Sequence, residues 1–124
     1  ASAFSYAIIR VVPAIERAEF INVGVLIFAR QHDFLAARVE LDVSRLAALC
    51  PDCDPDAVDS ALKAFTRVAE GDADAGPMAA LPKSERFGWL VAPSSTVIQC
   101  SPTHTGLCTD PQQALDELFA DLVL

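Results

Sequence analysis

The 124-residue chain lacks any hydrophobic run long enough to cross a membrane as a helix. Its longest apolar stretch, residues 23–29, is the length of a strand, whereas a membrane-spanning helix needs about 20 residues. Basic residues are also few: 9 Lys and Arg stand against 17 Asp and Glu, and the net charge is −8. Because contacts to phosphate groups need clustered Lys and Arg, the dispersed basic residues argue against a nucleic-acid or membrane partner.

Familiar catalytic and cofactor-binding motifs are missing as well. The sequence contains no Walker loop, no G-x-G-x-x-G, no G-x-S-x-G and no H-E-x-x-H. The first residues lack the basic region and the cleavage pattern of a secretory signal peptide. We therefore expect a cytoplasmic protein without a cofactor, and no catalytic residue is named by a motif.

The four cysteines are spaced poorly for a zinc site. Cys50 and Cys53 form a C-x-x-C, but seven residues separate Cys100 from Cys108, which is too many for a second zinc knuckle. A redox C-x-x-C normally opens a helix after a strand, whereas this one follows a predicted helix. Metal binding and redox chemistry remain alternatives. The expectation is no metal, and reduced cysteines that fill small apolar spaces.

What the sequence does contain is a pattern of strands followed by helices. Runs rich in β-branched and aromatic residues predict strands over residues 4–12, 20–30 and 34–41. The prediction is an α+β fold in which an antiparallel sheet begins with a three-stranded N-terminal meander and helices pack on one face. We expect one domain over residues 1–124, with the acidic, Gly- and Pro-containing segment at about 71–82 as a mobile loop.

Helix starts are marked by aspartates. Asp42 is a predicted N-cap, and Asp54 and Asp110 are each followed by a proline in the first helical position. The helix after Asp54 is predicted to end near Gly71. Residues 83–91 are predicted as either a short helix or an irregular segment.

The second predicted strand is interrupted by Asn22 and Gly24, two residues that do not suit a strand interior, and the strand pairing places them opposite the first strand near Arg10. If both hairpins are symmetric, Arg10 pairs with Asn22, Ile8 with Gly24, and Glu40 with Gly24 from the other side. The odd-numbered side chains of the three strands then form one apolar face for the helices to cover. The residues of that face are Ala7, Ile9, Val11, Ile21, Val23, Val25, Ile27, Leu35, Ala37, Val39 and Leu41.

The opposite face then gathers polar groups beside an apolar half, as a binding cleft does. Arg10 is suited to bind a carboxylate or a phosphate with two hydrogen bonds, and Gly24 supplies open floor. Arg17 and Glu19, in the adjoining turn, are placed to close over the site. The alternative is that these polar groups only satisfy one another and that Gly24 marks a β-bulge.

A second polar segment, "SPTHTG", follows a predicted strand over residues 96–101. His104 and Ser101 are three residues apart and lack the nucleophile elbow, oriented base and oxyanion hole of a hydrolase. We predict that His104 lies in a turn and is held by neighbouring hydroxyl groups, with Gly106 at a bend.

The chain resembles the bacterial domain-of-unknown-function family 3037 over residues 4–123. The resemblance rests on "YAIIRVVPAIERAEFINVGVLIF", "RFGWLVAPSSTVIQCSPTHTGL" and "DPQQALDELFADLV". Its most specific part is R-x-x-P-x-x-x-R-x-E-F-x-N-V-G-V, which runs from Arg10 to Val25. The resemblance implies a small bacterial protein that is often encoded beside a HipA-like kinase, and it carries over no catalytic residue.

Two functions are compatible with these observations. The leading hypothesis is a non-enzymatic accessory or binding protein that acts through a protein partner, for which the resemblance suggests a HipA-like kinase; a homodimer is a further expectation. The alternative is a small hydrolase or transferase acting on a phosphorylated or carboxylated substrate. Arg10 and Arg17 would then bind the anion, Glu19 or His104 would be the acid/base, and Asn22 would orient the substrate. The distance between His104 and Arg10 distinguishes the two.

Overall fold

The computed structural model describes residues 1–94 and 96–124, without the side chain of residue 15. The strands and helices within these residues follow in chain order. They are β1 (Ser2–Val11), β2 (Ile21–Ala29), β3 (Phe34–Val39), α1 (Val43–Leu49), α2 (Pro55–Glu70), α3 (Lys83–Val91), β4 (Ile98–Cys100), β5 (His104–Cys108) and α4 (Pro111–Leu122). None of the described helices is long and apolar enough to span a membrane.

The sheet has the order β3-β2-β1-β4, and β5 also pairs with β1. All of its pairings are antiparallel. The predicted α+β class and the N-terminal meander β1-β2-β3 are therefore confirmed. Both β4 and β5 lie along the same edge of β1, opposite its C-terminal and N-terminal halves respectively.

Ser101 lies in the gap between β4 and β5 and continues their pairing with β1. Its backbone N–H donates to Ile8 O at 2.8 Å, and its side-chain Oγ accepts from Ile8 N at 2.8 Å. The hydroxyl of this buried serine thus replaces a backbone carbonyl in the strand ladder. Ser101 was predicted as the last residue of the strand over residues 96–101; the strand ends at Cys100, and Ser101 continues its pairing with β1 through the side chain.

The bend predicted at Gly106 is wrong, because this glycine lies inside β5 and pairs with Phe4. A Cβ atom at Gly106 would lie 2.6 Å from Phe4 Cζ, so the absence of a side chain lets the phenyl ring pack onto the strand. The preceding strand is shorter than predicted and covers Ile98–Cys100.

A β-bulge divides the first hairpin into two registers. Arg10 pairs with Asn22 as predicted, but Ile8 pairs with Val25 and not with Gly24. The register shifts by one residue between these two pairs. A bulge adds one residue to one strand and reverses the alternation of its side chains beyond that point.

The second hairpin is also offset by one residue from the prediction. Gly24 pairs with Val39, whereas Glu40 only donates its backbone N–H to Val23 O at 2.7 Å. Asp42 accepts a hydrogen bond from Arg45 N, which confirms it as the N-cap of α1.

Because of the bulge, the predicted apolar face is split between the two sides of the sheet. Val25 and Ile27 lie on the side opposite Ile9 and Val11. Helices α2 and α3 pack on the side of the sheet that carries Ile9. Helix α4 packs on the opposite side, which carries Val25. The buried cluster on the first side is Ile9, Val11, Val23, Leu26, Leu35, Leu46, Val58, Leu62, Ala69 and Phe87. The buried cluster on the second side is Phe4, Val25, Ile27, Ala29, Cys108, Leu115, Phe119 and Val123.

The predicted helix starts are confirmed by their capping hydrogen bonds. Asp54 accepts from Asp56 N, and Asp110 accepts from Gln112 N, each ahead of a proline in the first turn. Gly71 ends α2 in the left-handed region at φ 75°. The segment 83–91, for which two predictions were open, is a helix.

The acidic segment after α2 contains two short 3-10 turns, Ala73–Ala75 and Pro77–Ala80. It packs around Arg86 of α3, whose side chain is buried. Arg86 Nη1 donates to Leu81 O at 2.7 Å, and Nη2 donates to Ala69 O at 3.4 Å. The arginine thereby connects α3 to the end of α2 and to the segment between them, a role that the sequence did not reveal.

Candidate functional site

Polar residues gather at one end of the sheet face that α4 partly covers. Arg10 of β1 lies between Asn22 of β2 and Gln99 of β4, its partners in the two flanking strands. The ring of Phe20, just before β2, stacks on the Arg10 guanidinium at 4.1 Å from Cζ to the ring centroid. We call Arg10, Phe20, Asn22 and Gln99 the Arg10 cluster.

Arg10 is a half-buried cation without an ion-pair partner in the described part of the chain. Its Nε atom is buried and makes no hydrogen bond there. Most of the other basic side chains are paired: the ion pairs are Arg17–Glu19, Arg38–Asp116, Arg45–Asp42, Lys63–Asp59 and Lys83–Asp33. Because a buried donor without an acceptor is unfavourable, Arg10 has unused capacity to bind an acceptor group.

Asn22 has one structural contact and one free acceptor. Its Nδ2 donates to Leu122 O at 3.2 Å, so the amide satisfies a carbonyl at the C-terminal end of α4. Arg45 supports the same helix end by donating from Nη1 to Val123 O at 3.2 Å. The Asn22 Oδ1 atom is buried and has no hydrogen-bond donor among the described residues. An unused acceptor thus lies on the residue that pairs with Arg10.

Gly24 is not the open floor that the sequence suggested. It is buried, and a Cβ atom there would lie 2.6 Å from Arg38 O and 2.7 Å from a methyl group of Val39. The glycine is needed because β3 approaches β2 closely next to the bulge. The neighbouring Arg38 pairs with Asp116 of α4 at 3.1 Å.

Arg17 and Glu19 form an ion pair with each other in the connection between β1 and β2. Their side chains are 71% and 41% exposed, so the pair is screened by water and contributes little to stability. No hydrogen bond among the described residues links either side chain to Arg10. Glu19 directly precedes Phe20 of the Arg10 cluster in the sequence.

His104 lies in strand β5, so its predicted position in a turn is wrong. It pairs with Tyr6, and the two rings are 5.3 Å apart between centroids. Tyr6 precedes Arg10 by four residues on β1, which separates their backbones by about 13 Å on the same sheet face. This distance exceeds one water-bridged contact, so the structure does not assemble an acid/base pair from His104 and the Arg10 cluster.

The stretch of sheet between His104 and Arg10 is apolar. Tyr6 and Ile8 lie there and are only half-buried. Leu118 and Leu122 of α4 are also half-buried and pack against the core of this face. On this face the Arg10 cluster therefore adjoins a half-buried apolar surface.

The cysteines depart from the expected reduced state. Cys50 and Cys53 form a disulfide, with their Cα atoms 5.4 Å apart, while Cys100 and Cys108 are free. Burial raises the pKa of Cys100 to about 12, although the nearby Arg10 charge acts in the opposite direction. Over residues 1–94 and 96–124, no group of three or more His, Cys, Asp or Glu is placed to hold a metal ion.

These features define a small α+β protein in which one face of the antiparallel sheet is only partly covered and carries Arg10, which has no ion-pair partner among the described residues. The chain belongs to the family described as Protein of unknown function (DUF3037), whose model matches residues 6–123. The matched range contains the whole Arg10 cluster, and the resemblance noted in the sequence is confirmed. No curated protein and no solved structure matches the chain.

Proposed function

We propose that this protein is a non-enzymatic, cytoplasmic binding module that acts through a protein partner docking on the Arg10 cluster. The observation that carries the proposal is the half-buried Arg10, which has no ion-pair partner among the described residues of a chain with net charge −8. In such an acidic protein, intramolecular carboxylates are plentiful. An arginine that none of them neutralises is therefore well suited to a carboxylate from outside.

The surroundings of Arg10 favour a carboxylate that is attached to an apolar segment. Phe20 is 44% exposed beside the guanidinium, and the half-buried Tyr6 and Ile8 continue the surface along β1. Interface centres commonly combine an aromatic residue and an arginine in this way. A partner with an Asp or Glu next to an apolar side chain fits this chemistry, and movement of the Phe20 ring would give it access to Arg10 Nε.

The separation of the acid/base candidates supports a binding role over the enzymatic alternative. His104 is about 13 Å along β1 from Arg10, and Glu19 is paired with Arg17. General acid/base catalysis requires such groups within hydrogen-bond reach of one substrate. The HipA-like kinase suggested by the family resemblance is the first partner to test.

The test is co-purification of that kinase with Arg10→Ala and Phe20→Ala variants. Arg30→Ala is the matched control, because Arg30 also stacks on a phenylalanine, Phe28, at 5.5 Å, but is exposed and lies outside the cluster. Loss of the complex with the two cluster variants and its retention with Arg30→Ala is the expected result. Circular dichroism verifies that each variant is folded. Binding that persists in a folded Arg10→Ala variant, or equal loss of binding in Arg30→Ala, contradicts the proposal.

A further inference from the structure

A cleft of about 570 Å³ lies between α2 and the segment that leads into β4. Alanines of α2 form one wall, and Val97 and Ile98 form the other. The residues that line the cleft are Cys53, Asp54, Ala57, Val58, Ala61, Ala64, Thr96, Val97 and Ile98. Most of this lining is apolar, which suits an aliphatic side chain.

Only one cysteine of the Cys50–Cys53 disulfide lines this cleft. Cys53 belongs to the lining, whereas Cys50 is the C-cap of α1 and lies outside it. Both cysteines are half-buried, so the disulfide is not sealed inside the core. A molecule in the cleft therefore contacts Cys53 and not Cys50.

We propose that Cys50 and Cys53 form a thiol–disulfide exchange site whose reactant is a cysteine-containing peptide bound in this cleft. The peptide thiolate attacks Cys53 Sγ, the Cys50–Cys53 bond breaks, and the Cys50 thiolate leaves and takes up a proton. A second peptide thiolate then attacks the peptide sulfur of the mixed disulfide and releases Cys53. One disulfide is reduced, one is formed, and the two protons lost by the peptide thiols are taken up by the two cysteines.

A peptide fits the cleft better than a small anionic thiol does. Asp54 lies in the lining, and Asp52 and Asp56 flank it in the sequence. These carboxylates, together with the net charge of −8, disfavour glutathione, which carries a net negative charge. The substrate class is thus a neutral or basic peptide with an apolar residue beside its cysteine. In the cytoplasmic location that we propose, disulfides are usually transient and reactive, which agrees with exchange.

The first experiment follows reduction of the disulfide by a synthetic dithiol peptide that carries a leucine next to one cysteine and a lysine. Alkylation of freed thiols and mass spectrometry measure the rate for the native protein. The peptide is expected to react about tenfold faster than a matched dithiol peptide in which glycine replaces the leucine and glutamate replaces the lysine, since one apolar side chain is buried in the cleft. Equal rates for the two dithiol peptides, or reduction only in denaturant, would overturn the proposal.

A matched pair of variants tests the cleft itself. Ala61→Phe fills it from an exposed position on α2, and Ser60→Phe adds the same ring at an adjacent exposed position outside the lining. The first is expected to lower the peptide rate about tenfold while leaving reduction by dithiothreitol unchanged. The second should leave both rates unchanged. An equal effect of the two substitutions contradicts binding in the cleft.

Single-cysteine variants test which sulfur reacts. In Cys50→Ser, the remaining Cys53 thiol is expected to attack the oxidised peptide and accumulate a mixed disulfide, because the cysteine that would resolve it is gone. Cys53→Ser is expected to accumulate much less, since Cys50 does not line the cleft. Equal trapping by both variants excludes the assigned order of attack.

Discussion

Replacing Gly24 with alanine tests whether this glycine is a structural requirement of the bulge or part of an open site. The new Cβ would lie 2.6 Å from Arg38 O and 2.7 Å from a Val39 methyl group, so β3 would have to move away from β2. Overpacking of this kind costs about 3 kcal/mol, the upper part of its usual range, because one of the contacts is backbone. Alanine also lowers the conformational entropy of the unfolded chain, which offsets about 0.7 kcal/mol of this loss. The expected net loss is therefore about 2 kcal/mol.

Gly88→Ala is the matched control for this substitution. Gly88 lies in α3, and a Cβ atom there meets no heavy atom within 4 Å. Alanine is favoured over glycine in a helix, so this variant should gain about 1 kcal/mol. The two Gly→Ala changes are thus expected to differ in sign and by about 3 kcal/mol in total.

Urea unfolding followed by circular dichroism measures both variants. With a slope near 2 kcal/mol per M for a domain of this size, Gly24→Ala should lower the midpoint by about 1 M and Gly88→Ala should raise it by about 0.5 M. A Gly24→Ala protein within about 0.5 kcal/mol of the wild type would refute the close approach of β3 and restore Gly24 as an open position.

Three further predictions concern buried groups. Ser101→Ala leaves the Ile8 N–H without its acceptor and should lower the free energy of unfolding by about 2 kcal/mol in urea, whereas an unchanged value would exclude the ladder role of the hydroxyl. Arg86→Met removes the donor to three backbone carbonyls and should cost about 3 kcal/mol; a neutral effect in the same assay would contradict that role. Burial raises the pKa of Cys100 from 9.0 to about 12, so the thiol loses its proton at lower pH in the unfolded chain than in the folded one. The contribution of the protonated thiol to the free energy of unfolding is therefore full below pH 9 and is lost between pH 9 and 12. At pH 10 the wild type should have lost about 1 kcal/mol more than Cys100→Val, and parallel pH curves would contradict the shift.

The parts of the fold that local sequence determines were predicted well. Asp42, Asp54 and Asp110 cap helices because a short acceptor side chain can reach a backbone N–H two or three residues ahead. Gly71 ends α2 because the left-handed conformation there favours glycine. Each of these signals lies within a few residues of the structure that it specifies.

The strand register could not be predicted because it depends on contacts between distant segments. The bulge places one residue of β2 outside the ladder, and Gly24 permits the approach of Val39 from β3. Hydrophobic alternation does not reveal the bulge, since Val23, Val25 and Leu26 are all apolar and suit either face. A shift of one residue was therefore enough to reassign the side chains of half a strand.

The candidate site was predicted in part for the same reason. The Arg10–Asn22 pair lies before the bulge in β2, where the predicted register holds, and was found. Gly24 lies just after the bulge and was misassigned. Phe20 was missed, because its stacking on Arg10 depends on the path of the chain before β2. His104 was placed in a turn because nothing in "SPTHTG" indicates that Ser101 continues the strand ladder with its side chain.

The most direct test of the proposed function is a calorimetric titration of the HipA-like kinase against the wild-type protein and the Arg10→Ala and Arg30→Ala variants. Because an arginine at an interface centre commonly contributes about 2 kcal/mol, Arg10→Ala should weaken binding by about thirtyfold. Arg30→Ala, which removes the same charge away from the cluster, should bind as the wild type does. Equal affinities for wild type and Arg10→Ala, or equal weakening by the two variants, would contradict the assignment of the binding surface to the Arg10 cluster.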